Sequence, residues 1–310
     1  MKSLKSILEA SILADIDDQL ESGDEAIKQL IKEFIKENYK GRVNISSKTN
    51  SDGKYEVSSR GSIAVKNDNI TSLTNNMFVF TSIDGTFDCS YCKKLISLDG
   101  APKYVGDYFD CSYCKSLESL KGGPKEVGKD FKCYGCESMT SLEGAPKKVG
   151  EHFYCYECES LTSLKGAPEE VKSNFNCHGC KSLKSLEGAP KKVGKNFCCS
   201  ECENLISLKG APKKVGENFY CGGCESLKSL EGSPEEVGAD FNCSFLNIKS
   251  LKGAPKEVGR DFQCIYCSSL ESLEGAPEEV GGNFWCKNCI GKFTKDDIKQ
   301  ICKVKGDILC

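Results

Sequence analysis

Cysteine is the residue type in this chain with the greatest chemical potential, at 22 of 310 residues. Most of it falls in Cys-x-x-Cys pairs, namely Cys89 and Cys92, Cys111 and Cys114, Cys133 and Cys136, Cys155 and Cys158, Cys177 and Cys180, Cys199 and Cys202, Cys221 and Cys224, Cys264 and Cys267, and Cys286 and Cys289. Two chelating pairs separated by 18 residues complete a tetrahedron of thiolates, so this spacing alone reads as zinc or iron-sulfur ligation. If such pairs stack at strand spacing, about 4.8 Å, neighbours share a row of iron-sulfur clusters, possible 4Fe-4S cubanes among them, suited to electron transfer. The competing reading makes the same residues small, buried, reduced core groups whose second cysteine forms a ladder along the turn. Other catalytic chemistry has little to work with. There are two histidines, His152 and His178, and one tryptophan, Trp285, and no Ser/His/Asp set, phosphate-cradling glycine loop or recurring carboxylate pair stands in a recognisable context. The expectation is a protein that is not an enzyme.

The elements that position the pairs are internal repeats. Cys89, Cys111, Cys133, Cys155, Cys177, Cys199, Cys221 and Cys243 follow one another at intervals of 22, Cys264 comes after 21, and Cys286 after 22. Ten copies fill residues 81–291, one of them VGEHFYCYECESLTSLKGAP at 149–168. Phe and Cys alternate as one face of a strand, and Gly-Ala-Pro breaks the chain and returns it. A unit this short buries its apolar face only against its neighbours, so the expected fold is a repeat solenoid with one short parallel strand per coil. Ten coils at strand spacing span roughly 50 Å.

The coil resembles the leucine-rich repeat in its cysteine-containing form. Phe153 and Cys155 stand in its two strand slots, Cys158 in its Asn/Cys slot, and Leu161 and Leu164 in the slots that follow. One copy carries Leu246 for the second cysteine and is one residue shorter, which matches the length difference between the family's two forms and keeps Ile248 in register. The chain departs from the pattern at Gly150, where a Leu is usual, with Val149 just ahead. The wording SL-x-GAP-x-x-VG also resembles repeat proteins of gut bacteria and their phages. The resemblance covers about two thirds of the chain and implies packing roles for both cysteine slots. Leu246 in a ligand slot, and the lack of a recurring basic residue beside the pairs, point the same way.

Ahead of the repeats, residues 1–41 carry helical spacing over 4–20 and 25–39, separated by Gly23-Asp24 and stopped by Gly41. Two helices are expected to cover the open end of the solenoid. Residues 42–80 read as a linker and a degenerate capping coil, with Ile63 and Val65 in the strand slots and Ile70 and Leu73 after them. Residues 292–310 lose the repeat and form a C-terminal cap. The start, MKSLKSILEASILADIDDQL, carries acids where a secretory signal would be apolar, so a reducing, cytoplasmic setting is expected.

If the framework is packing, recognition falls to the slots that vary. On either side of the strand cysteine these include Tyr134, Tyr154, Tyr156, His178, Tyr220 and Trp285, expected on a concave strand face with the composition of a protein-binding patch. A net charge of -3 and apolar runs of only a few residues argue for a protein partner rather than nucleic acid or a membrane. No cofactor is expected on this reading, against iron-sulfur or zinc on the other. Outside the pattern stand Cys198, Cys302 and Cys310, of which Cys198 is expected to face solvent and oxidise first. Before each Gly-Ala-Pro turn the charge alternates, as Asp99, Lys121, Glu143, Lys165, Glu187, Lys209, Glu231, Lys252 and Glu274. A slip of one coil would oppose like charges, so this column fixes register.

Overall fold

The computed structural model describes residues 20–310, with side chains from residue 23. It is a parallel β-solenoid of about 12 coils of about 22 residues, carrying two 13-stranded sheets. Each coil contributes two strands rather than one, each two residues long. Phe153–Tyr154 pairs with Phe175–Asn176 one coil on, and Val149 pairs with Val171 in the second sheet. Short pairing is what a small coil allows, because the chain has to turn several times within 22 residues. The sequence reading expected one strand per coil and gave Val149 no strand; β-branched and buried, Val149 anchors a ladder of its own just ahead of Gly150.

Glycine there has a steric cause. A Cβ on Gly150 would lie 1.7 Å from the carbonyl oxygen of Gly128 in the coil below. The departure from the leucine-rich pattern at this slot is therefore a close approach of two backbones. At the Gly-Ala-Pro turn, Gly166 has φ +99° and its Cβ would meet the Leu142 carbonyl at 2.4 Å.

The core repeats in columns of Val, Phe, Cys, Cys, Leu and Leu, buried in nearly every coil. The Phe column from Phe87 to Phe284 stacks ring on ring, with centroids 5.4 Å apart at Phe109–Phe131 and 5.6 Å at Phe219–Phe241. In the short copy Leu246 and Ile248 are both buried, so the one-residue deletion keeps every inward slot filled. Outside, the alternating charges meet as expected: Glu143 holds Lys121 at 3.4 Å and Lys165 at 3.0 Å, and Glu187 holds Lys209 at 2.8 Å. Lys165 and then Lys121 keep the exposed Glu143 carboxyl below its ordinary range.

The first end is closed by helix α1 (Leu20–Asn38), whose Ile31 and Ile35 are buried and whose Phe34 packs 6.0 Å from Phe78. One helix runs through Gly23-Asp24 where the sequence suggested a break; Gly23 sits in open space, and an exposed glycine costs a packed helix only about 1 kcal/mol. The stretch expected to be helical over 4–19 lies outside the described residues. Strands β1 (Tyr39–Lys40) and β2 (Asn44–Thr49) cap one sheet each in antiparallel fashion, by pairing with β4 (Ile63–Val65) and β3 (Tyr55–Ser59). Ile63 then pairs with Phe87, and Leu73 is buried. At the other end helix α2 (Lys295–Ile301), started by a Thr294/Asp297 capping box, buries Ile298. Beyond it Lys303–Val304 and Ile308–Leu309 add one more strand to each sheet. Among the described residues no helix is long and apolar enough to cross a membrane.

Candidate functional site

The two cysteines of a pair have different structural jobs. The chain leaves the Phe strand at the first cysteine, and the turn aims that residue's carbonyl inward, away from the backbone ladder. The thiol of the second cysteine one coil further on donates to it. Cys114 reaches the Cys89 carbonyl at 3.2 Å, Cys158 that of Cys133 at 3.2 Å, Cys180 that of Cys155 at 3.2 Å and Cys267 that of Cys243 at 3.3 Å. Several first cysteines also donate, as Cys177 does to the Cys198 carbonyl at 3.3 Å. A buried carbonyl without a donor is costly, and a thiol is a donor small enough for the gap. Where Leu246 replaces the second cysteine, the Cys221 carbonyl has no such thiol.

Burial pushes the thiols of Cys111, Cys133, Cys155, Cys199, Cys221 and Cys243 well above the ordinary range, favouring the protonated donor over the thiolate that a metal needs. Among the described residues one trio of ligand-type atoms lies within 4.8 Å of one another, and it contains no sulfur: Asp130, Glu151 and His152. Two of its members already serve the backbone. Asp130 Oδ1 accepts the His152 N–H at 3.2 Å, and His152 Nδ1 accepts that of Asn174 at 3.3 Å. They belong to a column of side-chain acceptors that continues through Asn174, Asn196, Asn218 and Asp240.

The exceptions lie at the C-terminal end. Cys289 is only half-buried, and its thiol donates to the Cys264 carbonyl at 3.2 Å. Cys310 is exposed. Cys198, expected to face solvent and oxidise first, is instead half-covered, and burial raises its thiol. Its neighbours in the sheet are Asn176 on one side and Tyr220 on the other.

The six expected recognition residues are all partly exposed. Tyr154, Tyr220 and Trp285 are the outward residues of Phe strands, and Tyr134, Tyr156 and His178 come just after the strand cysteine. Tyr134 and Tyr156 stack at 4.3 Å, and Tyr154 joins them at 6.3 Å. Tyr220 and Trp285 lie coils away, flanked in their sheet by Cys198 and Asn242 and by Gln263 and Leu309. The Trp285 indole Nε1 is buried without a hydrogen-bond partner.

One further column escaped the sequence reading, which stopped at the residues next to the cysteine. Two residues past it stand Tyr91, Tyr113, Gly135, Glu157, Gly179, Glu201, Gly223, Phe245, Tyr266 and Asn288. The backbone is left-handed here, with φ near +60° at Tyr91, Phe245 and Tyr266. A side chain in that conformation costs roughly 1–2 kcal/mol, and only glycine and asparagine adopt it readily. Yet Tyr91, Phe245 and Tyr266 are 57%, 60% and 53% exposed, so burial does not offset the strain. Tyr91 stacks on Tyr113 at 4.9 Å, Tyr113 meets Tyr134 edge-on at 5.2 Å, and Phe245 stacks on Tyr266 at 5.1 Å. The expected tyrosines thus continue into a strip over the coils of Tyr91 to Tyr156.

Compared with protein-family models, with curated proteins and with solved structures, the chain gives no match.

Proposed function

We propose that the protein is a non-enzymatic scaffold that binds a protein partner through the outward side of its Phe-strand sheet and the turn beside it. The observation that carries this reading is the surface aromatic strip, which begins at Tyr91 and Tyr113 on strained left-handed backbone and continues through the half-buried Tyr134 and Tyr156. Tyr134, Tyr154 and Tyr156 form its later end, and His178, Tyr220 and Trp285 extend the same side of the sheet. The cysteine columns serve the interior as reduced thiols and need no cofactor. Their carbonyl contacts and raised thiols support that, and iron-sulfur or zinc content is the outcome that would replace it. We read the coil as of leucine-rich type on the strength of its Cys-x-x-Leu-x-Ser-Leu segment, with a second short sheet at the Val slot. A cytoplasmic setting fits a chain that keeps 22 thiols reduced.

The test compares affinity capture by the wild-type chain and by a Tyr134→Ala/Tyr156→Ala double variant of equal melting temperature. The scaffold reading expects a protein retained by the first and lost from the second. Identical retention profiles would contradict it.

A further inference from the structure

The middle of the turn column is cut by gaps and lined with acid. A Cβ placed on Gly179 would find its nearest neighbour, Glu157 Cγ, 3.6 Å away, and one on Gly223 would find Glu201 Cγ at 3.1 Å. Each gap therefore has a glutamate leaning towards it from the coil below. The corresponding space at Gly135 is closed by the Tyr113 ring, which approaches to 2.5 Å and walls off one end. An open groove of about 380 Å³ runs alongside, lined by five glutamates and two lysines, so its field is negative. Lys115 and Lys181 are engaged with Glu137 at 2.5 Å and Glu159 at 2.9 Å. Among the described residues Glu157 and Glu203 have no cation within 4.0 Å, and Glu201 meets only His178, at 3.6 Å.

Resting on the recognition reading, we propose that this column binds an extended cationic segment of the protein partner, with Lys or Arg at every third residue in polyproline-II conformation. Register supports it. Gly179 and Gly223 are two coils apart, which at strand spacing is about 9.4–9.8 Å along the solenoid. A polyproline-II chain has three residues per turn and rises about 3.1 Å per residue, so side chains i and i+3 share one face about 9.3 Å apart. A β-strand offers one face only every second residue, at roughly 6.6–6.8 Å, which matches neither one coil nor two. Two cations three residues apart thus enter the two gaps against Glu157 and Glu201. The strip of Tyr113, Tyr134 and Tyr156 lies at one end and Phe245 at the other, ready for the apolar residues between and beyond them.

The test titrates the full chain, by fluorescence anisotropy, with a labelled nonapeptide of three Arg-Pro-Pro units and with an isomer of the same composition whose three arginines are contiguous. The periodic peptide is expected to bind at least about tenfold tighter, and a Glu157→Gln/Glu201→Gln double variant to lose about that factor. Gly179→Tyr fills one gap with a residue the column already carries at Tyr91 and Tyr113, and is expected to weaken binding similarly while lowering the melting temperature, because a side chain strains the left-handed backbone at φ +65°. The glutamine variant decides the matter if the tyrosine variant does not fold. Equal binding of the two peptides, equal binding of a Gln-Pro-Pro control, or indifference to the glutamine variant overturns the proposal. Should a partner depend on Tyr134 and Tyr156 but not on Glu157 and Glu201, the scaffold stands and this inference falls; if no partner depends on either, both fall.

Discussion

Phe153 and Tyr154 are neighbours in one two-residue strand, yet their columns behave differently. At the Phe153 slot all ten repeats carry Phe; at the Tyr154 slot they carry Asp88, Asp110, Lys132, Asn176, Cys198, Tyr220, Asn242, Gln263 and Trp285. The inward side chain is held between identical rings above and below, so a change in one coil leaves a void in two. The outward side chain has water on one side and is free to vary. The same contrast separates the cysteines, nearly uniform because they fill inward slots and most of the second ones donate to a neighbouring coil's carbonyl, from the turn residues two positions on, which range from glycine to tyrosine.

The sharpest way to break this contrast is to ionise the inside. Buried thiols such as Cys133, Cys155, Cys221 and Cys243 have folded pKa values raised by burial above those of the unfolded chain. Their contribution is complete below about pH 8.5 and is lost as pH rises, because the unfolded chain releases protons that the folded interior retains; each thiol removes about 1.4 kcal/mol per pH unit. With several acting together, denaturant midpoints are expected to fall steeply above pH 9 while changing little between pH 6 and 8. A flat profile to pH 10 would show that these thiols are not buried as protons. A smaller effect follows from Phe175→Ala, which opens a cavity in the ring column and is expected to cost about 3–5 kcal/mol in chemical denaturation. Asn176→Ala, on the other side of the same strand, should stay within about 1 kcal/mol. Cys180→Ala removes the donor to the Cys155 carbonyl and is expected to cost about 1–3 kcal/mol. The smallest effect has the opposite sign. Tyr266→Gly relieves the left-handed turn and is expected to be neutral or to stabilise by up to about 1 kcal/mol; a clear loss of stability would mean that the exposed ring serves folding after all.

The period, the inward slots and the alternating charge column were legible in the sequence because each is a regular spacing that packing enforces, as Phe153, Leu161 and Glu143 show. Three features were not. The second strand of each coil rests on one buried Val beside a glycine, and the glycine's role depends on how close the next backbone comes. The continuity of α1 through Gly23 leaves no local signal, because an exposed glycine costs a helix only about 1 kcal/mol and does not have to end it. The exposed column at Tyr91, Tyr113, Phe245 and Tyr266 repeats at the same 22-residue interval as the cysteines, but its chemical types change from coil to coil, and its significance appears only once φ and exposure are known. The six recognition residues lie on the outward side the alternation implied; that Tyr134, Tyr154 and Tyr156 cluster while Trp285 stands apart follows from coil order, which the sequence also holds.

The central claim is that the cysteines are structural thiols, and the most direct measurement is a timed thiol count with metal analysis on protein purified without oxygen. Alkylation in native buffer should modify Cys289 and Cys310 first and Cys198 slowly, with all 22 thiols reacting only in denaturant and with neither iron nor zinc present in stoichiometric amount. Several irons or zincs per chain, with paired cysteines protected until the metal is removed, would contradict the account and make the interior a metal array.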